Sequence, residues 1–227
     1  MIMEKIKNNW ESIKNKIEQA AFKSGRKASE VTLVAVSKTV DIETVRRAHS
    51  LGINDFGENR VNELLSKRES LPGINWHLIG RLQTNKVKDI VGRTTLIHSL
   101  DRWRLAQELD KRGLVLEQEV PVLIQLNISG EEQKAGFKPT ELGEVLAAAE
   151  QFKALRIYGL MTMAPLDPDP ERARPLFREL FQLRQKFIDR NYKNVNLKYL
   201  SMGMSQDYAV AIEEGANLVR IGSALFH

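Results

Sequence analysis

Cysteine is absent from the 227 residues, which excludes disulfides, thiolate nucleophiles and cysteine-held metals. Also missing is any run near the roughly 18 apolar residues of a membrane span. The amino terminus mixes polar with apolar residues and has no small-residue cleavage site, so it does not read as a secretory signal. A cytoplasmic protein away from the membrane is expected. Histidine is scarce: His49, His77, His98 and His227 are the four in the chain, and none stands at a ligand spacing such as His-x-x-x-His. No metal is expected, and His77 reads as a pocket-edge or core residue. No RNP-type aromatic motif, basic tail or zinc-finger spacing appears. Basic residues exceed acidic ones by 34 − 29 = 5, but they are interleaved with acids, as in Asp101-Arg102-Trp103-Arg104, a pattern of solvated helix faces. Specific nucleic-acid binding is therefore not expected. The Arg81, Lys86 and Lys88 cluster reads the same way, and Asn127-Ile128-Ser129 as a strand-end turn.

What is present is alternation. Ile6, Trp10, Ile13, Ile17 and Ala20 step by three or four residues and predict an amphipathic helix over 3–23. Val31 to Val36 is then a short β-branched run, suited to a strand buried on both faces. Seven further strand candidates follow: 53–56, 76–79, 95–98, 120–127, 155–161, 197–200 and 218–221. Helical stretches near 41–51, 58–69, 84–90, 101–112, 140–152, 171–190 and 205–214 separate them. Eight strand–helix units in a chain of this length predict a single (β/α)8 TIM barrel with an additional N-terminal helix, forming one domain over 1–227. An open doubly wound sheet is the alternative, but its Gly-x-Gly-x-x-Gly after the first strand is missing; Ser37-Lys38-Thr39-Val40 stands there.

In such a barrel the chemistry gathers where strands end. Lys38 follows the first strand and shares side-chain alternation with Val34 and Val36, so it can point into the barrel, where an amine is poorly solvated and able to attack a carbonyl. The other reading is an exposed lysine at a strand end. The seventh strand runs into Ser201-Met202-Gly203-Met204-Ser205 and the eighth into Arg220-Ile221-Gly222-Ser223. Loops after strands seven and eight frequently bind phosphate, with glycines admitting an anion to the backbone and serines donating hydroxyl groups. Alternation also turns Arg220 inward, where it needs a partner; two ordinary turns with a salt-bridged arginine remain the alternative. An amine beside a phosphate cradle describes a site for a phosphorylated aldehyde, such as pyridoxal 5′-phosphate or the substrate of a Schiff-base aldolase.

At Val34 to Lys38, Phe56-Gly57-Glu58-Asn59-Arg60, Trp76-His77-Leu78-Ile79-Gly80, Gly159-Leu160-Met161-Thr162-Met163 and the two loops just named, the sequence resembles the pyridoxal phosphate homeostasis proteins of the alanine-racemase-like barrel group. The resemblance covers nearly the whole chain. It implies that Lys38 carries pyridoxal 5′-phosphate as a Schiff base, that Ser201, Gly222 and Ser223 hold the phosphate, and that Asn59 and Met204 line the pocket. Arg220 matches the arginine that faces the pyridine nitrogen in related racemases, with phosphate binding as its other role. Ser223 stands where threonine is common and keeps the donor hydroxyl; the chain ends at His227 where glycine and a tail are common. A monomer is expected, acting as a carrier or buffer in vitamin B6 homeostasis without robust catalysis, with pyridoxal phosphate-dependent apoenzymes or a regulatory protein as partners. Related racemases take a second base from an additional domain, and this chain ends with the barrel. An amino-acid racemase is the rival reading, and an aldolase the more distant one.

Overall fold

The computed structural model describes residues 2–131 and 133–227. Eight strands close on themselves in sequence order, each parallel to its neighbours: β1 (Thr32–Val36), β2 (Asp55–Glu58), β3 (Asn75–Leu78), β4 (Leu96–Leu100), β5 (Val120–Gln125), β6 (Leu155–Met161), β7 (Val195–Ser201) and β8 (Leu218–Ile221). The (β/α)8 barrel read from the alternation is thus the observed fold. The helices are α1 (Ile2–Lys23), α2 (Ile42–Ser50), α3 (Val61–Ser70), α4 (Val87–Ile90), α5 (Trp103–Leu116), α6 (Leu142–Ala148), α7 (Arg174–Ile188), α8 (Tyr208–Glu213) and α9 (Ser223–Phe226). No helix among the described residues is long and apolar enough to cross a membrane.

Alternation along the strands sorts their side chains into two cores. Val34, Leu96, Leu123, Met161 and Leu218 fill the barrel interior. A larger cluster lies between strands and helices and takes the other face of the same strands, including Leu33, Ala35, Ile97, Val219 and Ile221. α1 buries Ile6, Ile13, Ile17, Ala20 and Ala21 against this outer layer and packs on α8 and α9. Closure pairs β1 with β8 in the register Val34↔Arg220 and Ala35↔Ile221, which sets the strand preceding Lys38 beside the strand that carries Arg220.

Of the departures from the elements that the sequence suggests, three bear on the site. β2 starts at Asp55 instead of 53 and continues through Glu58, because the Glu58 side chain, with 0% exposure, is buried outside the strand against a lysine of α3. A glutamate after Phe56-Gly57 reads as a helix start only while that lysine is unseen. α8 starts at Tyr208 instead of near 205, leaving Ser205 to Asp207 in the loop. α9 spans only four residues, too few to show a periodicity.

Candidate functional site

The C-terminal ends of the strands open on a cavity of about 480 Å3. Its lining comes from opposite ends of the chain: Lys38 and Thr39 after β1, Asn59 after β2, part of the segment between Met163 and Ala173 after β6, Met204 to Asp207 after β7, and Arg220, Gly222, Ser223 and His227 from β8 onward. Of the seven residues expected at the site, Lys38, Asn59, Met204, Arg220, Gly222 and Ser223 line it.

Ser201 does not. It sits fully buried at the end of β7, where its Oγ accepts from Arg220 Nη1 (2.5 Å) and lies 2.9 Å from His98 Nδ1. Its hydroxyl is thereby committed beneath the cavity to the arginine and the histidine. Ser205 lines the cavity instead, and its Oγ accepts from the backbone N–H groups of Gly222 (3.2 Å) and Ala224 (3.3 Å). Ser205 falls both in the loop after the seventh strand and at the start of the helix expected near 205–214, and it is not among the expected site residues; its place directly after Gly203 and Met204 is the signal that could have found it.

Arg220 forms the floor at 4% exposure. Nη2 donates to the Thr162 carbonyl at 2.9 Å, and no carboxylate among the described residues lies within ion-pair distance. Burial pushes its guanidinium down to about 10, with the Asp207 carboxylate pulling the other way. The salt bridge suggested as the ordinary alternative is therefore replaced by a hydroxyl and a carbonyl. Asp207 keeps its carboxylate on the Met204 N–H (2.6 Å), while burial pushes its pKa up.

Around this floor the backbone is closely packed at two glycines. A Cβ on Gly203, whose φ is +89°, would meet Ala211 Cβ at 2.6 Å, and one on Gly222 would stand 3.2 Å from the Val36 carbonyl oxygen. On the opposite wall a Cβ on Gly80 would fall 2.2 Å from the carbonyl oxygen of Asn59.

Lys38 is exposed, contrary to the poor solvation inferred from strand alternation. β1 ends at Val36, so Lys38 lies in a turn two residues later and the alternation does not reach it. That turn is braced from behind. Lys67 Nζ of α3 donates to the Ser37 carbonyl and to Glu58 Oε1, both at 2.6 Å, and Ser37 Oγ donates to Glu58 Oε1 at 2.7 Å. On the far side Thr39 Oγ1 is 3.4 Å from His227 Nε2. The last residue of the chain thus stands at the cavity.

Residues 3–227 match the family model of the alanine racemase N-terminal domain. The pyridoxal phosphate homeostasis protein of Aquifex aeolicus is 46% identical over 213 residues, covering 93% of this chain and 92% of its own. This chain belongs to the pyridoxal phosphate homeostasis protein family. PipY of Synechococcus elongatus, solved with pyridoxal phosphate bound, is 35% identical with a TM-score of 0.76, over 87% of this chain and 93% of that one. An alanine racemase of Clostridium difficile shares the fold at 14% identity, with a TM-score of 0.76 over 98% of this chain and 59% of its own.

His98 of this family member gives the fold a pH dependence. Burial holds its imidazole well below the usual value near 6.5, and His77 and Arg220 push in the same direction. The unfolded chain takes up a proton there that the folded chain refuses. Stability from this group is thus complete above about pH 6.5 and declines below it, by up to about 1.4 kcal/mol per pH unit. Urea unfolding at about pH 7.5 and 5.5 is expected to show this decline and to show a shallower one in His98→Gln. Equal slopes in the two proteins would rule out His98 as the source.

Proposed function

We propose that this chain is a single-domain pyridoxal 5′-phosphate-binding protein that holds the cofactor as a Schiff base on Lys38 and serves intracellular vitamin B6 homeostasis as a carrier or buffer, without robust catalysis. The observation that carries this reading is one cavity with an amine at its edge and a buried guanidinium at its floor, beside glycine-tight loops after β7 and β8. Pyridoxal phosphate supplies an aldehyde, which condenses with a primary amine with loss of water, and a phosphate dianion.

The residues present fit both groups. Lys38 offers the amine. The hydroxyls of Ser205 and Ser223 offer neutral donors for the phosphate, with Ser205 held at the cavity by the N–H groups of Gly222 and Ala224 that donate to its Oγ. Ser201 acts from below the floor by fixing Arg220. Asn59 and Met204 are wall residues. A guanidinium beside a pyridine nitrogen disfavours protonation of the ring and so weakens the electron sink that carbanion chemistry draws on; a carboxylate would strengthen it. Arg220 therefore supports holding the cofactor against reactions that need a strong electron sink, while the related racemases, which have the matching arginine, show that it does not exclude racemisation. The family's shared name and the cofactor bound to PipY point the same way.

Reduction of the protein with borohydride after incubation with pyridoxal phosphate, followed by peptide mass spectrometry, tests this directly. One phosphopyridoxyl group on Lys38 is expected, with no amino-acid turnover above that of free cofactor. Sustained racemisation would overturn the carrier reading, and trapping on Lys38 of a sugar phosphate supplied in a parallel reaction, with no trapping of the vitamin, would replace it with an aldolase.

A further inference from the structure

The barrel interior holds a polar chain that cofactor binding at the upper cavity does not explain. Asp55, the first residue of β2, lines a second cavity of about 300 Å3 at the N-terminal ends of the strands, along with His77, Tyr158, Lys198 and Tyr199. Its Oδ1 lies 3.0 Å from His77 Nε2. His77 Nδ1 lies 3.0 Å from His98 Nε2, and His98 Nδ1 lies 2.9 Å from Ser201 Oγ. Ser201 Oγ accepts from Arg220, at the floor of the upper cavity. His77, His98, Ser201 and Arg220 are all buried. Five side chains from β2, β3, β4, β7 and β8 thus connect one mouth of the barrel to the other.

The ends of this chain fix its two outer bonds, and keeping both imidazoles neutral fixes the inner two. A carboxylate only accepts, so His77 Nε2 carries a hydrogen; a guanidinium only donates, so Ser201 Oγ accepts from Arg220 and its own hydrogen is free to point at His98 Nδ1. His98 then carries its hydrogen on Nε2 and donates to a bare His77 Nδ1. Each link is satisfied with both imidazoles neutral. The opposite order needs His77 doubly protonated, which places a second cation in the interior with Arg220, and leaves the Ser201 hydrogen without that acceptor. Aligned bonds in a low-dielectric interior polarise one another, so the carboxylate at the lower mouth strengthens the acceptor that Arg220 uses at the upper one.

We propose that Asp55, His77, His98 and Ser201 form a one-way hydrogen-bond relay in which a carboxylate at the lower mouth of the barrel positions the Arg220 guanidinium at the floor of the cofactor cavity. The relay makes these four positioning residues, with Arg220 the group that meets the cofactor. Its consequence for the cofactor rests on the function proposed above; its existence does not.

Nitrogen-15 NMR of the protein without cofactor tests the relay itself, with the four histidines assigned by single His→Gln variants. His77 and His98 are expected as neutral Nε2–H tautomers at about pH 8. A hydrogen on His98 Nδ1, or an imidazolium at either position, overturns the proposal. In the same protein Asp55→Asn, which keeps an acceptor but loses the charge, is expected to speed exchange of the Arg220 Nη1–H that Ser201 accepts by roughly threefold or more. Asp55→Glu is expected to restore the slow rate, whereas unchanged exchange in Asp55→Asn also overturns the proposal. Asp55→Asn is further expected to shift the absorbance band of bound pyridoxal phosphate. A wild-type protein with the expected tautomers and exchange that fails to bind pyridoxal phosphate supports the relay and refutes the function proposed above.

Discussion

Lys38→Ala protein, incubated with pyridoxal phosphate and reduced with borohydride, is expected to carry no covalent cofactor and to lose the yellow absorbance of the wild type. The expectation follows from which amines can reach the aldehyde. Among the described residues lining the cavity, Lys38 is the sole lysine. The nearby Lys67 is taken up by Glu58 and the Ser37 carbonyl behind the turn, so moving it to the cavity would strip a buried carboxylate of its cation. Noncovalent binding should persist at reduced affinity, because the hydroxyls of Ser205 and Ser223 and the Arg220 floor are untouched by the substitution. Equilibrium dialysis separates the two effects. Trapping at undiminished yield on another lysine would show that the amine at the end of β1 is not the carrier of the cofactor.

Much of this site was legible in the sequence because its parts fall where parallel strands end, and apolar runs reveal strand ends well. Lys38, Gly222 and Ser223 follow such runs directly, and Arg220 was turned inward by alternation within β8, as the packing of Leu218 inside the barrel and of Val219 and Ile221 outside confirms. Alternation failed where the strand had already stopped: Lys38 is exposed because β1 ends two residues before it. It was silent on how side chains from different strands meet. His77 could be called a core or pocket-edge histidine, but a contact with His98, one strand away, depends on the tilt and stagger of a closed barrel. The link from His98 to Ser201 spans 103 positions of sequence, and no local pattern encodes it. Ser201 was expected at the phosphate and lies instead beneath the cavity, with Ser205 at the lining, for the same reason. Each serine is two residues from Gly203, and only the course of the backbone, with φ of +89° at that glycine, decides which hydroxyl turns up to the cavity and which turns down to Arg220.

The brace behind Lys38 was invisible for a related reason and carries the largest expected effect on stability. Glu58 has 0% side-chain exposure and Lys67 14%, with 2.6 Å between Nζ and Oε1. Lys67→Met keeps most of the stem's apolar contact but leaves a buried carboxylate with a serine hydroxyl as its one remaining donor among the described residues. It also deprives the Ser37 carbonyl of the Lys67 donor. Removing one partner of a buried ion pair costs about 3–5 kcal/mol, because the remaining charge keeps its desolvation penalty and loses its compensation. Urea unfolding of Lys67→Met is expected to show a loss of that size, and Lys67→Met/Glu58→Gln to recover part of it, since a neutral amide tolerates burial without a cation. The single variant should also trap less pyridoxal phosphate on Lys38, because the turn presenting the amine loses its tie to α3. A loss under about 1 kcal/mol, the range of a solvent-exposed pair, would mean that the turn holds its position without the brace.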